Sequence, residues 1–168
     1  GKYKLTGDIS TTGYLDVEGE AVLDLNGYIW NLNDYYIDLY APLSVYDTST
    51  DKTGKITSSQ YTTIRADNVT AVFSLYGGTI ENTSTGTGPY SISTMWASTN
   101  LYGGKIVSTG TAGTTGYVGD NKTKMSKSAI IFHETANYPG NANMRLEIND
   151  GIFIGVDHSV EVLSNIMW

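Results

Sequence analysis

The line "LYGGTI", Leu75 to Ile80, returns as "LYGGKI", Leu101 to Ile106. Leu75, Tyr76, Gly77, Gly78 and Ile80 each recur 26 residues later. A fixed step of this length constrains the fold strongly, because each copy must be one structural unit set against the next.

Two all-β plans accommodate the repeat. In the first, Gly-Gly is the two-residue turn of an antiparallel hairpin, and the chain builds a β-sandwich. In the second, each copy belongs to one circuit of a parallel β-helix, which returns one strand spacing above its start. A circuit of 26 residues at about 3.3 Å each gives a path of about 80 Å, enough for three short strands and their corners.

Further copies favour the solenoid. "MRLEINDGIFIG" matches the repeat through Leu146, Ile148, Gly151 and Phe153, and places Ile148 47 residues after Leu101, a step read as two circuits. Upstream, "VLDLNGYIWNL" puts Leu23, Leu25, Gly27 and Trp30 in the same frame, and "APLSVYDTS" adds Leu43, Val45 and Tyr46. Elsewhere apolar residues alternate with polar ones, as in Phe73/Leu75 and Val160/Val162, which is the period of a strand with one buried face. Between these runs lie clusters of Gly, Asn, Asp, Ser and Thr suited to turns.

The lines "VLDLNGYIW", "FSLYGGTIEN", "NLYGGKIVSTG" and "LEINDGIFIG" resemble the degenerate repeats of right-handed parallel β-helix, or pectin-lyase-like, domains of large exported bacterial proteins. The resemblance runs from about Leu5 to Val162. It implies one all-β domain over residues 1–168, a right-handed solenoid of six to eight coils, and an extracellular or cell-surface location. It does not settle function, because that fold carries polysaccharide lyases, glycosidases, phage tailspikes and fibres, adhesins and plain stalks.

On this plan Leu25, Val45, Leu75, Leu101 and Ile148 form one buried column, and Ile80, Ile106 and Phe153 another. Glycines 77, 78, 103, 104 and 151 make the corner between them, where positive φ costs glycine little. Outside the corner stand Asn26, Tyr46, Tyr76, Tyr102 and Asn149. Such a ladder either stiffens the corner or offers ring faces to a sugar polymer.

Carbohydrate-binding candidates are therefore Tyr46, Tyr76 and Tyr102, with Tyr90 and Trp96 second. Tyr28, Trp30, Tyr35, Tyr36 and Tyr40 crowd one early segment, where strand alternation must turn some outward. Core packing is the default for Trp30 and Trp96. Thirteen tyrosines against three phenylalanines point to hydroxyl-bearing rings at the surface.

Composition supports a neutral ligand. Charged residues are only 16% of the chain, the net charge is −7, and Arg65 and Arg145 are the two arginines, so no basic face is available for nucleic acid. A polyanion such as pectate is repelled unless calcium bridges it. No apolar run approaches the length of a membrane span, so no membrane insertion is expected of this segment. The absence of cysteine fits bacterial exported domains built without disulfides, as well as the cytosol. The sequons at Asn68, Asn82 and Asn121 then read as chance matches in an Asn/Thr-rich chain.

Catalysis finds no recognisable constellation. β-Helix lyases of the resembled type use clustered calcium-binding carboxylates with a nearby Arg or Lys, and the polygalacturonases use paired aspartates with Gly-His-Gly and Arg-x-Lys motifs. None of these is present, so no catalytic residue, metal ligand or cofactor is assigned, and a lyase or hydrolase is the alternative reading. Arg65 with Asp67, and Arg145 with Glu147, read as exposed charge pairs. His133 and His158 each adjoin an acid, but strand neighbours face opposite ways. "DTSTDKTG", Asp47 to Gly54, lacks the spacing and final Glu of a calcium loop and reads as a turn.

Residues 110–127 have no alternating pattern and carry Lys122, Lys124 and Lys127, which predicts a projecting loop with a solvated charge run. The apolar ending "SVEVLSNIMW" reads as the start of another coil in a longer chain, or as a surface packed on a partner.

Overall fold

The computed structural model describes residues 1–86, 90–95, 97–109, 116–118, 123–125, 128–135 and 145–165. It is an all-β, parallel-stacked solenoid, and among the described residues no helix is long and apolar enough to cross a membrane. Nothing in it supports the sandwich alternative.

Each circuit supplies one short strand to each of three faces. On the first face β1 (Lys2–Lys4), β4 (Ala21–Asp24), β7 (Leu43–Tyr46) and β10 (Val72–Leu75) stack in parallel. β2 (Ile9–Ser10), β5 (Ile29–Asn31), β8 (Lys55–Ser58) and β11 (Thr79–Asn82) form the second. The third comprises β3 (Leu15–Val17), β6 (Ile37–Leu39), β9 (Thr62–Ala66) and β12 (Tyr90–Met95).

These make about four complete three-stranded turns, fewer than the six to eight expected. Above them β13 (Ser98–Ser108) runs unbroken over the corner that separates β10 from β11, and β17 (Leu146–Ile154) lies directly on it. β16 (Ser128–Thr135) and β18 (His158–Asn165) extend the third face.

One coil of the overcount has a clear origin. Leu101 pairs with Ile148 in one step of the ladder, so the 47 residues between them are one circuit and not two. That interval includes 110–127, whose described residues form an antiparallel pair, β14 (Gly116–Val118) with β15 (Thr123–Met125). The rest of the expected projecting loop, including Lys122 and Lys127, lies outside the described residues.

Inside, like residues stack. The first column is Tyr3, Leu23, Val45, Leu75, Leu101 and Ile148. Leu23, not Leu25, therefore holds the early position; Leu25 is fully buried where the chain turns. The second column is Ile9, Trp30, Ile56, Ile80, Ile106 and Phe153, and the third runs Leu15, Ile37, Ile64, Ile92, Ile130 and Val160. Trp30 is partly buried against this core and its indole Nε1 donates to Thr11 Oγ1 at 2.7 Å. Each coil buries its apolar face only against its neighbours, so the columns are the core.

Gly78 and Gly104 turn the first corner with φ of +86° and +85°. A Cβ at Gly104 would lie 2.8 Å from the Gly78 carbonyl oxygen, so close stacking as well as positive φ requires glycine there. On coil two the same corner uses Asn26 and Gly27, also at positive φ. Asp47 ties these corners together from a buried site: its carboxylate accepts from the amides of Gly27, Ser49 and Gly54 and from Ser49 Oγ. Burial raises its pKa, but those hydrogen bonds prevail and hold it below the ordinary carboxylate value. The stretch from Asp47 to Gly54 is thus a turn organised by its own first residue.

Candidate functional site

Two groups of aromatic residues reach the surface, and their geometries differ. At the first corner Tyr46, Tyr76 and Tyr102 stand on successive coils. Their rings stack at centroid distances of 4.4 and 4.8 Å, with planes 1° and 18° apart. The strand spacing imposes this arrangement, since residues in register repeat at about 4.8 Å. Burial, followed by the neighbouring Tyr76 hydroxyl, pushes the Tyr46 hydroxyl pKa up.

The stack is closed on its inner faces. A sugar ring needs the face of an aromatic ring, and here each inner face is occupied by the next tyrosine. Only the outer faces of Tyr46 and Tyr102 and the row of ring edges are left. The expected flanking asparagines are not in the ladder: Asp24 lies in register with Tyr46, and Asp150 with Tyr102. Asn149 is displaced because the register shifts at this point, as at a β-bulge.

The second group lies at the corner that leads into the third face, where Tyr14, Tyr36 and Tyr61 directly precede β3, β6 and β9. Tyr14 is 59% exposed and leans on Tyr35 at 5.1 Å and 88°, and on Tyr36 at 4.9 Å and 57°. Tyr36 in turn meets Tyr61 at 5.4 Å and 62°, and Tyr61 meets Tyr90 at 6.3 Å and 81°. Because these rings meet edge to face or at a tilt, each contact covers a face of one partner only, whereas the corner stack covers a face of both. Burial, then a hydrogen bond with Tyr61, raises the Tyr36 pKa to about 12.

Arg65 lies at the centre of this group. Its guanidinium is 4.9 Å from the Tyr36 ring centroid, in cation–π contact, and its NH1 donates to Tyr61 Oη at 3.3 Å. It grips Asp38 through Nε at 3.1 Å and through NH2. Burial lowers the Arg65 pKa, but Asp38 and Tyr61 outweigh it and the net shift is upward. The Tyr40 hydroxyl donates to the same carboxylate at 3.3 Å, and the charge of Asp38 raises the Tyr40 pKa.

Arg65 is therefore not the exposed partner of Asp67 alone. Asp67 lies 3.5 Å from its Nε, but the stronger pairing is with Asp38, whose side chain is only 7% exposed. Sequence reasoning missed this because Asp38 is 27 residues earlier and becomes a neighbour only through the β6–β9 register, Asp38 opposite Arg65. Arg145 and Glu147 do form an exposed pair, at 3.2 Å.

Tyr46, Tyr76 and Tyr102 are thus brought together as expected. Tyr90 is set apart from them and is 8% exposed, with burial pushing its hydroxyl pKa up. Trp96 lies outside the described residues, as does the side chain of His133. Asn82 is fully buried, its Nδ2 donating to the Gln60 carbonyl at 2.7 Å, which rules out its use as a glycosylation acceptor in the folded chain. Among the described residues no group of three or more His, Asp or Glu is placed to hold a metal ion.

No protein-family model matches this chain, and no curated protein or solved structure matches it.

Proposed function

We propose that this chain is a non-catalytic extracellular binding or adhesion module, displayed on a bacterial surface, that holds a neutral carbohydrate. The sugar packs on the exposed ring of Tyr14, which Tyr35 and Tyr36 hold in place, and not on the faces of Tyr46, Tyr76 and Tyr102. The observation that carries this reading is the exposed Tyr14 ring set at an angle to Tyr36, which is itself held by Arg65, with the exposed Tyr40 on the same side of the third-face strand β6. An apolar ring face with polar groups at its rim suits the alternating C–H and hydroxyl surface of a sugar. The low charged content of the chain suits a neutral ligand.

The non-catalytic part rests on the same group. Arg65 and Asp38 are committed to each other, which leaves neither poised to exchange a proton. A second reading, a plain stalk, draws on the closed corner stack, whose rings bind each other.

A glycan array followed by titration of any hit tests these readings. Tyr14→Ala and Tyr36→Ala should abolish binding while Tyr102→Ala leaves it intact. The reverse pattern would return the site to the corner, and an array without hits favours the stalk. Release of reducing ends from pectins or glucans, lost in Arg65→Gln, would establish the alternative of a lyase or hydrolase.

A further inference from the structure

We propose that Asp150, ahead of Gly151, forms isoaspartate spontaneously in the folded chain, while Asn26, ahead of Gly27, is protected. Attack of a backbone nitrogen on the preceding Asp or Asn side chain is fastest where glycine follows, because no Cβ shields the nitrogen. The sequence contains one Asn-Gly pair, Asn26–Gly27, and one Asp-Gly pair, Asp150–Gly151. Asn-Gly is intrinsically the more labile of the two. Both pairs sit at the first corner, but the fold treats them differently.

The amide of a corner glycine stands outside the ladder. It is the next residue that donates to the coil below, Thr79 to the Gly54 carbonyl and Lys105 to that of Gly78, each at 2.9 Å. The glycine amide is thus left to a side chain. At Gly27 it donates to Asp47 Oδ1 at 2.9 Å, a carboxylate from the next coil. Asn26 is engaged elsewhere, its Nδ2 donating to the Leu5 carbonyl at 3.1 Å. Neither reacting group of this pair is free to approach the other.

At Gly151 the amide donates to Oδ1 of its own neighbour, Asp150, at 2.7 Å. That bond sets the nitrogen beside the carboxyl carbon Cγ, as a near-attack arrangement requires. Asp150 is exposed, and among the described residues no other partner draws its side chain away. The ladder is also irregular here, with the register between β13 and β17 shifting on either side of the Tyr102–Asp150 pair. A bulge accommodates an added backbone atom where an even ladder cannot.

The conversion needs only water. Gly151 N bonds to Cγ of the Asp150 carboxylic acid, the amide proton and the carboxyl hydroxyl leave together as water, and a five-membered succinimide closes. Water then opens the ring at either carbonyl. Opening at Cγ restores Asp150. Opening at the former peptide carbonyl routes the backbone through Cβ and Cγ and leaves the carboxylate on Cα, with no net change of mass.

Prolonged incubation of the folded chain in oxygen-18 water, then digestion in ordinary water and peptide mapping with electron-transfer fragmentation, tests this. The peptide containing Asp150 should take up the heavy isotope and give isoaspartate fragments, while the peptide containing Asn26 stays unconverted. Asp150→Asn places Asn-Gly at both corners, so the ratio of the two deamidation rates reads geometry alone. Position 150 should convert at least about tenfold faster than Asn26, whose corner must first give up its bonds to Leu5 and Asp47. In urea that unfolds the chain the two rates should converge. Comparable rates in the folded variant, or a wild-type Asp150 that takes up no isotope, would overturn the proposal.

Discussion

Tyr46 and Tyr76 lie ring on ring, 4.4 Å apart and within 1° of parallel, although thirty residues separate them in the chain. A face-to-face sandwich is not the arrangement two free tyrosines prefer, because like-charged ring faces repel. The parallel ladder at the Val45–Leu75 step holds them in it. What the rings gain is mutual shielding from water at a corner that turns on glycine.

Removing the middle ring should therefore cost more than removing an end. Tyr76→Ala exposes two ring faces and is expected to destabilise the fold by about 2–3 kcal/mol, with Tyr102→Ala nearer 1–2. Urea midpoints at constant m-value measure both. Equal costs would mean that the stack contributes nothing beyond burial of each ring.

The corner glycines should be irreplaceable in a graded way. Gly104→Ala places a Cβ 2.8 Å from the Gly78 carbonyl at φ +85°, and Gly78→Ala puts one 2.7 Å from Leu25 Cδ1 at φ +86°. Each should lose about 2 kcal/mol or more, with Gly104 the worse because it meets backbone instead of a movable side chain. Gly13→Ala, which meets nothing within 4 Å, should change the thermal midpoint by little or raise it.

Arg65 and Asp38 should behave as a unit. Arg65→Gln strands the Asp38 carboxylate, whose side chain is 7% exposed, and should cost about 3 kcal/mol. Adding Asp38→Asn should recover part of that loss, giving a coupling of about 1 kcal/mol or more in a double-mutant cycle. Purely additive costs would place the stabilisation in the aromatic contacts.

Acid should unfold the chain through its corner carboxylates. Burial raises the Asp24 pKa, but hydrogen bonds from Thr48, Lys4 and the Asn26 amide outweigh it and bring it from 3.8 to about 2; Asp47 shifts in the same direction. The unfolded chain therefore takes up these protons first. The stabilisation is complete above about pH 4 and disappears as the pH falls through about 2. Asp24→Asn should flatten that part of the stability–pH curve, with a lower plateau at neutral pH.

Much of this architecture could be read from local sequence. The alternation of Phe73 with Leu75, the copied "LYGG" line and the positive-φ glycines depend on interactions within one circuit and its near copy, and both are visible in one dimension. The stack of Tyr46, Tyr76 and Tyr102 was legible for the same reason. Tyr14, Tyr36, Tyr61 and Arg65 were not, because the circuits here carry no repeated line that marks the register Leu15 to Ile37 to Ile64.

The sequence by itself determined that the chain is all-β, that most of its coils return at intervals of 20 to 30 residues, and that Leu75, Leu101, Ile80 and Ile106 face inward. These follow from side-chain alternation and turn chemistry, which act over a few residues. Only the tertiary structure decided which positions meet across coils: Asp38 with Arg65, Leu23 instead of Leu25 beneath Val45, and Ile148 one step from Leu101 across 47 residues. The physical reason is that ladder hydrogen bonds join backbone to backbone whatever the length of the intervening loop. Loop length, which fixes sequence separation, is almost free to vary, because its entropic cost grows only with the logarithm of its length.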